Sequence, residues 1–184
     1  GRKSEQDTLA RIYESRQSEF VAVCGRRRVG KTFLVREYFE QEMVFQASGL
    51  AGGNTQEQLK NFFYTLRRYD RNVTSVPHDW LDAFEMLITY LDSLNGIERK
   101  VIFLDELPWM DTAGSNFISA LEHFWNGWAS ARRDIVLIVC GSATSWMMDK
   151  LINNHGGLYG RLTHRLFLQP FSLGESEAFL NTKG

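Results

Sequence analysis

The stretch "EFVAVCGRRRVGKTFLVREYF", Glu19 to Phe39, holds an apolar run, a glycine turn and a second apolar pattern of different period. Phe20 to Cys24 is continuously apolar and partly β-branched, which predicts a strand buried on both faces and therefore a parallel sheet. Thr32 to Phe39 then spaces Leu34, Val35, Tyr38 and Phe39 as one face of a helix. Between the two, Gly25, Gly30, Lys31 and Thr32 match the phosphate-loop pattern G-x-x-x-x-G-K-[ST]. Glycines at those positions let successive N–H groups turn inward around phosphate oxygens, and the helix that follows adds the positive end of its dipole. Lys31 would reach the β- and γ-phosphates of ATP or ADP, and Thr32 would offer its hydroxyl to Mg²⁺. Gly25, Arg26, Arg27, Arg28, Val29, Gly30, Lys31, Thr32 and Phe33 form the expected nucleotide-binding set. A strand in front and a helix behind separate this match from a chance glycine turn carrying a surface lysine.

Outward from this stretch the same alternation continues. "MVFQA" (Met43 to Ala47), "VIFLD" (Val101 to Asp105), "DIVLIVC" (Asp134 to Cys140) and "RLFLQ" (Arg165 to Gln169) read as four further strands. Helical stripes lie among them: Leu9, Ile12 and Tyr13 within Ser4 to Ser15; Leu59, Phe62, Phe63, Leu66 and Tyr69; Trp80, Phe84, Leu87, Ile88 and Leu91; Phe117, Leu121, Phe124, Trp125 and Trp128. Thr55 and Gln58 are spaced as a capping box for the second of these helices. Strands alternating with helices along the whole chain predict an α/β layer sandwich around a mainly parallel sheet.

Three further segments carry chemistry. In "VIFLDELPW" the strand delivers Asp105 to the carboxyl edge of the sheet, where the phosphate loop also opens. Asp105 would hold the Mg²⁺ shell, and Glu106 would orient and deprotonate a water. An adjacent Asp-Glu pair favours a hydrolase over a small-molecule kinase, because a kinase has to exclude water. In "LIVCGSATSWMM", Ser142 either stands beside the γ-phosphate and its water or, with Thr144 as the other candidate, caps the helix beginning near Trp146. In "GGLYGRLTHRLFLQPF", Arg161 is either an arginine finger, acting in cis or on a neighbouring subunit, or a solvated side chain. The expected catalytic residues are thus Glu106, Lys31, Arg161 and Ser142, with Thr32 and Asp105 on the metal.

Composition bounds the remaining classes. A chain of 184 residues, 43% hydrophobic, supplies one well-packed core. Lys plus Arg number 21 against 22 Asp plus Glu, so no global field draws the domain to nucleic acid or to an acidic membrane. No apolar run approaches the ~18 residues of a membrane span. Cys24 and Cys140, both inside apolar runs, read as packed thiols of a reduced, cytoplasmic protein. The four histidines share no metal-ligand spacing, so no zinc site is expected. The first residues, "GRKSEQDTL", and the end, "AFLNTKG", are those expected of an N-terminal piece cut from a longer protein, with residues 1–184 forming one domain.

Taken in order, "GRKSEQDTL", "FVAVCGRRRVGKTFLV", "VIFLDELPWM", "LIVCGSATSWM" and "GLYGRLTHRLFLQPF" resemble the archaeal-type ATPases, prokaryotic P-loop NTPases related to the STAND and AAA+ groups. The resemblance runs along nearly the whole chain. It implies a three-layer α/β/α sandwich of the ASCE type with strand order 5-1-4-3-2, a Walker A motif at Gly25 to Thr32 and a Walker B motif at Asp105 and Glu106. It also implies a Gly-Arg segment near the adenine, which falls on Gly1 and Arg2, and a helical lid and further C-terminal region beyond Pro170-Phe171. If strands one and four are neighbours, Cys24 and Cys140 would lie close together beneath the phosphate loop.

The expected activity is Mg²⁺-dependent ATP hydrolysis driving conformational change in a larger protein. The alternative is a nucleotide-gated switch with negligible turnover, tied to signalling or DNA binding through a further domain; a phosphotransferase is a third reading. Arg26, Arg27 and Arg28 form either a solvated basic rim or a pairing surface for a C-terminal domain. Arg67, Arg68 and Arg71, with Tyr69 interleaved, form either a small nucleic-acid patch or the polar face of a helix end. The partners expected are nucleotide, and beyond it a second copy or the chain's own C-terminal domain.

Overall fold

The strands are β1 Glu19–Cys24, β2 Met43–Ser48, β3 Lys100–Asp105, β4 Ile135–Gly141 and β5 His164–Phe167. They stand side by side in the order β2-β3-β4-β1-β5, every neighbouring pair parallel. That is the expected 5-1-4-3-2 order read from the opposite edge. The structure, a computed structural model, describes residues 2–153 and 155–171. Helices α1 Lys3–Glu14 and α2 Lys31–Tyr38 lie on one face; α3 Thr55–Tyr69, α4 Trp80–Ser93 and α6 Phe117–Gly127 lie on the other. Two short helices, α5 Leu107–Met110 and α7 Thr144–Met147, follow β3 and β4, and α7 runs on as a π-helical turn over Met148–Ile152.

The period of two in the strands builds both cores at once. Phe20, Ala22 and Cys24 of β1 face α3, α4 and α6 together with Phe45, Ile102, Leu104, Leu137 and Val139. Val21 and Val23 face α1 and α2 together with Val101, Phe103, Val136, Ile138 and Cys140. Side chains of this size gain about 1.5–3 kcal/mol each on full burial, so a sheet covered on both faces dominates the stability. Trp80 anchors the larger core, its ring 4.9 Å from Phe117 and 5.6 Å from Phe62.

The ladder also decides the relation of the cysteines. Val23 pairs with Cys140 and Cys24 with Gly141, so the two thiols sit on neighbouring strands yet point to opposite faces of the sheet. Both are free and buried, and burial pushes the Cys24 thiol up to about 11. Closeness in the sheet therefore does not bring the sulfurs together.

Two local expectations shift. The capping box of α3 is Asn54 with Glu57, one residue ahead of the Thr55/Gln58 pair: Glu57 N–H donates to Asn54 Oδ1 at 2.9 Å and Asn54 N–H to Glu57 Oε2 at 2.8 Å. Gln58 is buried and bonds instead to the loop before the helix. The last strand begins at His164 and closes at Phe167; Leu168 adds a final bond to Cys24 O, 2.8 Å, before Pro170 ends the ladder. At the end of α3, Arg67, Arg68 and Arg71 are exposed, and Tyr69, itself partly exposed, packs its ring 5.2 Å from Phe45 and 6.0 Å from Tyr90. Among the described residues no helix is long and apolar enough to cross a membrane.

At the opposite pole, before β4, the carboxylate of Asp134 joins the strand entrances. Arg132 forks onto it with two bonds of 2.8 Å, and Lys100 Nζ reaches it at 2.8 Å. These cations hold the Asp134 carboxyl well below the usual carboxylate range, the Arg132 hydrogen bonds leading. A carboxyl with a depressed folded pKa stabilises the fold above its unfolded pKa of about 3.9 and loses that contribution as pH falls towards the folded value. Asp134→Asn should therefore cost about 2 kcal/mol at pH 7, with the difference from wild type shrinking below about pH 4. Denaturant unfolding across that range measures it; a penalty independent of pH would show that charge plays no part.

Candidate functional site

The phosphate-binding pattern becomes a loop because its backbone enters conformations that side chains resist. Gly25 has φ 149° and Gly30 φ 89°, and Arg28 between them takes the left-handed φ of 65°. A Cβ at Gly25 would stand 2.5 Å from the Leu168 carbonyl oxygen, so the loop also needs glycine there to pass the exit of β5. Gly30 precedes α2 without any capping side chain, which leaves the first N–H groups of the helix available to an anion. Lys31 is buried, its ammonium bonded to Gly25 O at 2.8 Å and Arg26 O at 2.7 Å, across the loop it belongs to.

Facing this loop is the exit of β3. Thr32 Oγ1 donates to Asp105 Oδ2 at 2.7 Å, and the other carboxylate oxygen, Oδ1, accepts from Glu106 N–H at 2.9 Å. Glu106 itself is left-handed, φ 48° and ψ 44°, a strain of about 1–3 kcal/mol for a residue with a side chain. Ser142, just past β4, donates its hydroxyl to Glu106 Oε2 at 3.4 Å. Neither Ser142 nor Thr144 caps a helix: the N-cap of α7 is Ala143, no side chain bonds there, and the Ser142 hydroxyl is spent on Glu106. Cys140 lies on the Asp105 side of the sheet, and burial, then the Asp105 charge, push its thiol far up. A buried neutral thiol of this kind is inert.

The phosphate loop and Glu106 share one cavity of about 620 Å³, lined by Arg27, Arg28, Gly30, Lys31, Thr32, Phe33, Gly49, Ala51, Glu106 and Trp109. A family model described as an ATPase domain predominantly from Archaea matches residues 1–183. The chain belongs to that family. It is 26% identical over 178 residues to an uncharacterised protein of Methanocaldococcus jannaschii, covering 97% of this chain and 37% of that one. A segment of 47 residues, 26% of this chain and 80% of its relative, is 36% identical to an uncharacterised ATP-binding protein of the same archaeon. Among solved structures, the Walker-type ATPase of Pyrococcus abyssi aligns at TM-score 0.70 and 19% identity over 99% of this chain and 57% of its own. The Aeropyrum pernix ORC2 protein in its ADP form aligns at 0.66 and 20%, over 99% and 52%. Drosophila ORC bound to DNA aligns at 0.65 and 17%, over 99% and 46%. At these identities the structural likeness carries the fold, that of P-loop ATPases. The chain spans 37% of the first relative and about half of the solved chains.

Within this archaeal-type ATPase domain the remaining expected residues distribute unevenly. Arg26, Arg27 and Arg28 are exposed, and the last two edge the cavity; Val29 is buried beneath the loop, while Phe33 is 66% exposed at the mouth. Arg161 is exposed in the turn before β5 and does not line the cavity. Gly1 lies outside the described residues. Arg2 is buried beside the phosphate loop, donating to Val29 O and Gln169 O, each at 2.7 Å, with its guanidinium 4.5 Å from the Phe171 ring centroid. Those bonds make it a staple between the loop and the exit of β5. Gly49, Ala51 and Trp109 were not foreseen as lining residues; the glycine-rich "SGLAGGN" after β2 was the available signal. Lys31→Ala should weaken nucleotide binding about tenfold or more, or about 1.4 kcal/mol, and titration calorimetry reads it directly. Undiminished affinity would count heavily against this cavity as the phosphate site.

Proposed function

We propose that this domain binds ATP with Mg²⁺, hydrolyses it, and uses the turnover to drive a conformational change in a larger protein. The observation that carries the reading is the 2.7 Å bond between Thr32 Oγ1 and Asp105 Oδ2, which joins the phosphate-loop helix to the strand that bears Glu106. A hydroxyl and a carboxylate oxygen in contact are a hard-oxygen pair suited to Mg²⁺. Among the described residues no group of three or more His, Cys, Asp or Glu could hold a metal alone. The ion would thus enter with the phosphates and water, which is how Mg²⁺ is commonly held, and would neutralise charge on the phosphoryl oxygens.

The chain's own residues do the rest. Phosphate oxygens compete with the Gly25 and Arg26 carbonyls for the Lys31 ammonium, so the lysine turns from its loop to the β- and γ-phosphates. Glu106, half-buried at the cavity wall, accepts a proton from the water whose oxygen attacks the γ-phosphorus, as the bond to the ADP oxygen breaks. Ser142, already bonded to Glu106, holds that carboxylate and meets the product phosphate when the bond is cut. Arg161, away from the cavity, is a finger that reaches a nucleotide only through closure or from a neighbouring subunit.

Multiple-turnover phosphate release should fall by about a hundredfold or more in Glu106→Gln with ATP still bound. Stoichiometric retained nucleotide without turnover in the wild type would instead establish a switch, and ATP consumption dependent on an added acceptor a phosphotransferase. In the full-length protein Arg161→Ala should leave nucleotide affinity intact and slow hydrolysis; unaltered turnover would remove the finger.

A further inference from the structure

The turn that carries Glu106 is approached from both sides by glycines at the ends of its flanking strands. β3 lies between β2 and β4, and Gly49, the residue after β2, and Gly141, the last of β4, both lie against the segment after Asp105. On the β4 side, a Cβ at Gly141 would meet the Pro108 ring at 2.7 and 2.9 Å. On the β2 side, a Cβ at Gly49 would overlap the Glu106 carbonyl oxygen and stand 2.8 Å from Trp109 Cβ. Gly49 is not among the glycines of positive φ, so what demands glycine there is space alone. The same residue donates its N–H to Asp105 O at 3.0 Å, continuing the β2-β3 ladder one step past the strand.

The loop that brings Gly49 to this place is held from behind by α3. Gln58, 1% exposed, accepts from Leu50 N–H at 2.8 Å and donates to Leu50 O at 2.6 Å and to Gly53 O at 3.1 Å. Asn61 Nδ2 donates to Ser48 O at 2.8 Å. A buried glutamine that satisfies three backbone groups of one short loop leaves it little freedom to retreat. A side chain at position 49 would therefore push against the Glu106 carbonyl, the one group that starts α5 by accepting from Trp109 N–H at 3.1 Å.

We propose that Gly49, braced by Gln58, is a positioning residue for Glu106: it fixes the left-handed turn that aims the carboxylate into the cavity. This rests on the hydrolytic reading above for its consequence in turnover, and on packing alone for its consequence in structure. Gly49 itself lines the cavity beside Lys31 and Thr32, whereas Gln58 does not, so Gln58 is the position at which carboxylate placement separates from phosphate binding.

The test uses the full-length protein. Gly49→Ala is expected to lower kcat for ATP about tenfold or more, and Gln58→Met, outside the cavity, to lower kcat several-fold while the nucleotide Kd moves less than about threefold. Hydrogen exchange supplies a readout independent of turnover: the Trp109 amide should exchange about tenfold faster in both variants, while amides of the α4 and α6 core keep their wild-type rates. Wild-type kcat in the variants overturns the proposal, as does a kcat loss in Gln58→Met matched by an equal loss of affinity. If Gly49→Ala does not fold, Gln58→Met decides. If the wild type binds nucleotide and turns nothing over, hydrolysis is refuted and exchange alone decides: faster Trp109 exchange upholds the positioning role, and unchanged exchange overturns it.

Discussion

The hydrogen bond from Thr32 to Asp105 joins two elements that the sheet keeps apart. β4 stands between β1 and β3, so the exits of the phosphate-loop strand and of the acid-bearing strand are separated by two inter-strand spacings, about 10 Å. Helix α2 begins at Lys31, directly after the loop, and the Thr32 hydroxyl in its first turn reaches the Asp105 carboxylate across that distance. Strand order is thus a chemical parameter here, because it sets the separation of cation and carboxylate.

The same order explains how strain at Glu106 is held. A left-handed non-glycine turn persists only where its surroundings over-determine it. The exit of β3 has neighbours on both sides, each continuing past its last paired residue to a glycine, Gly49 or Gly141, and Asp105 Oδ1 accepts the Glu106 N–H from within. An edge strand could not supply this. The phosphate loop is braced differently, by Gly25 against the Leu168 carbonyl and by the Arg2 staple, both on the β5 side. The phosphate loop is therefore braced from β5 and the Glu106 turn from β2 and β4, and Thr32 and Asp105 join the two.

How much of this could be read beforehand follows from the range of each interaction. The five strands and the long helices were legible because period and burial are local to each segment, and the phosphate loop because its residues are contiguous. The strand order came through resemblance, since no local pattern says which strand lies beside which. Thr55 and Gln58 fit the spacing of a capping box as well as Asn54 and Glu57 do; what separates them is that Gln58 is needed inside, on Leu50 and Gly53, a demand visible only in three dimensions. Gly49 meets Glu106, 57 positions away in sequence, through a pairing that no spacing rule encodes. The sequence around Ser142 fits cap and sensor alike because both are hydroxyl roles after a strand; the path of β4 beside β3 turns it towards Glu106.

The charge distribution follows from this geometry without any global bias. Lysine and arginine nearly balance aspartate and glutamate over the chain, so at a Debye length of about 8–10 Å the domain exerts little field at a distance. Inside the cavity the balance is broken by position: Lys31, Arg27 and Arg28 stand on the loop side, and Glu106 lines the opposite wall with Asp105 behind it. A polyanion entering from the loop side meets cations and main-chain N–H groups first, and its terminal phosphate is the part brought up to the carboxylates. Under the proposed hydrolysis, repulsion there would call for a divalent ion between phosphate and acid, for which the Thr32–Asp105 oxygens are in contact. Binding energy would then be gained along one wall and the reacting end held at the other, an asymmetry that a uniformly basic pocket would lack and by which changes at Lys31 and Glu106 would separate in affinity and rate.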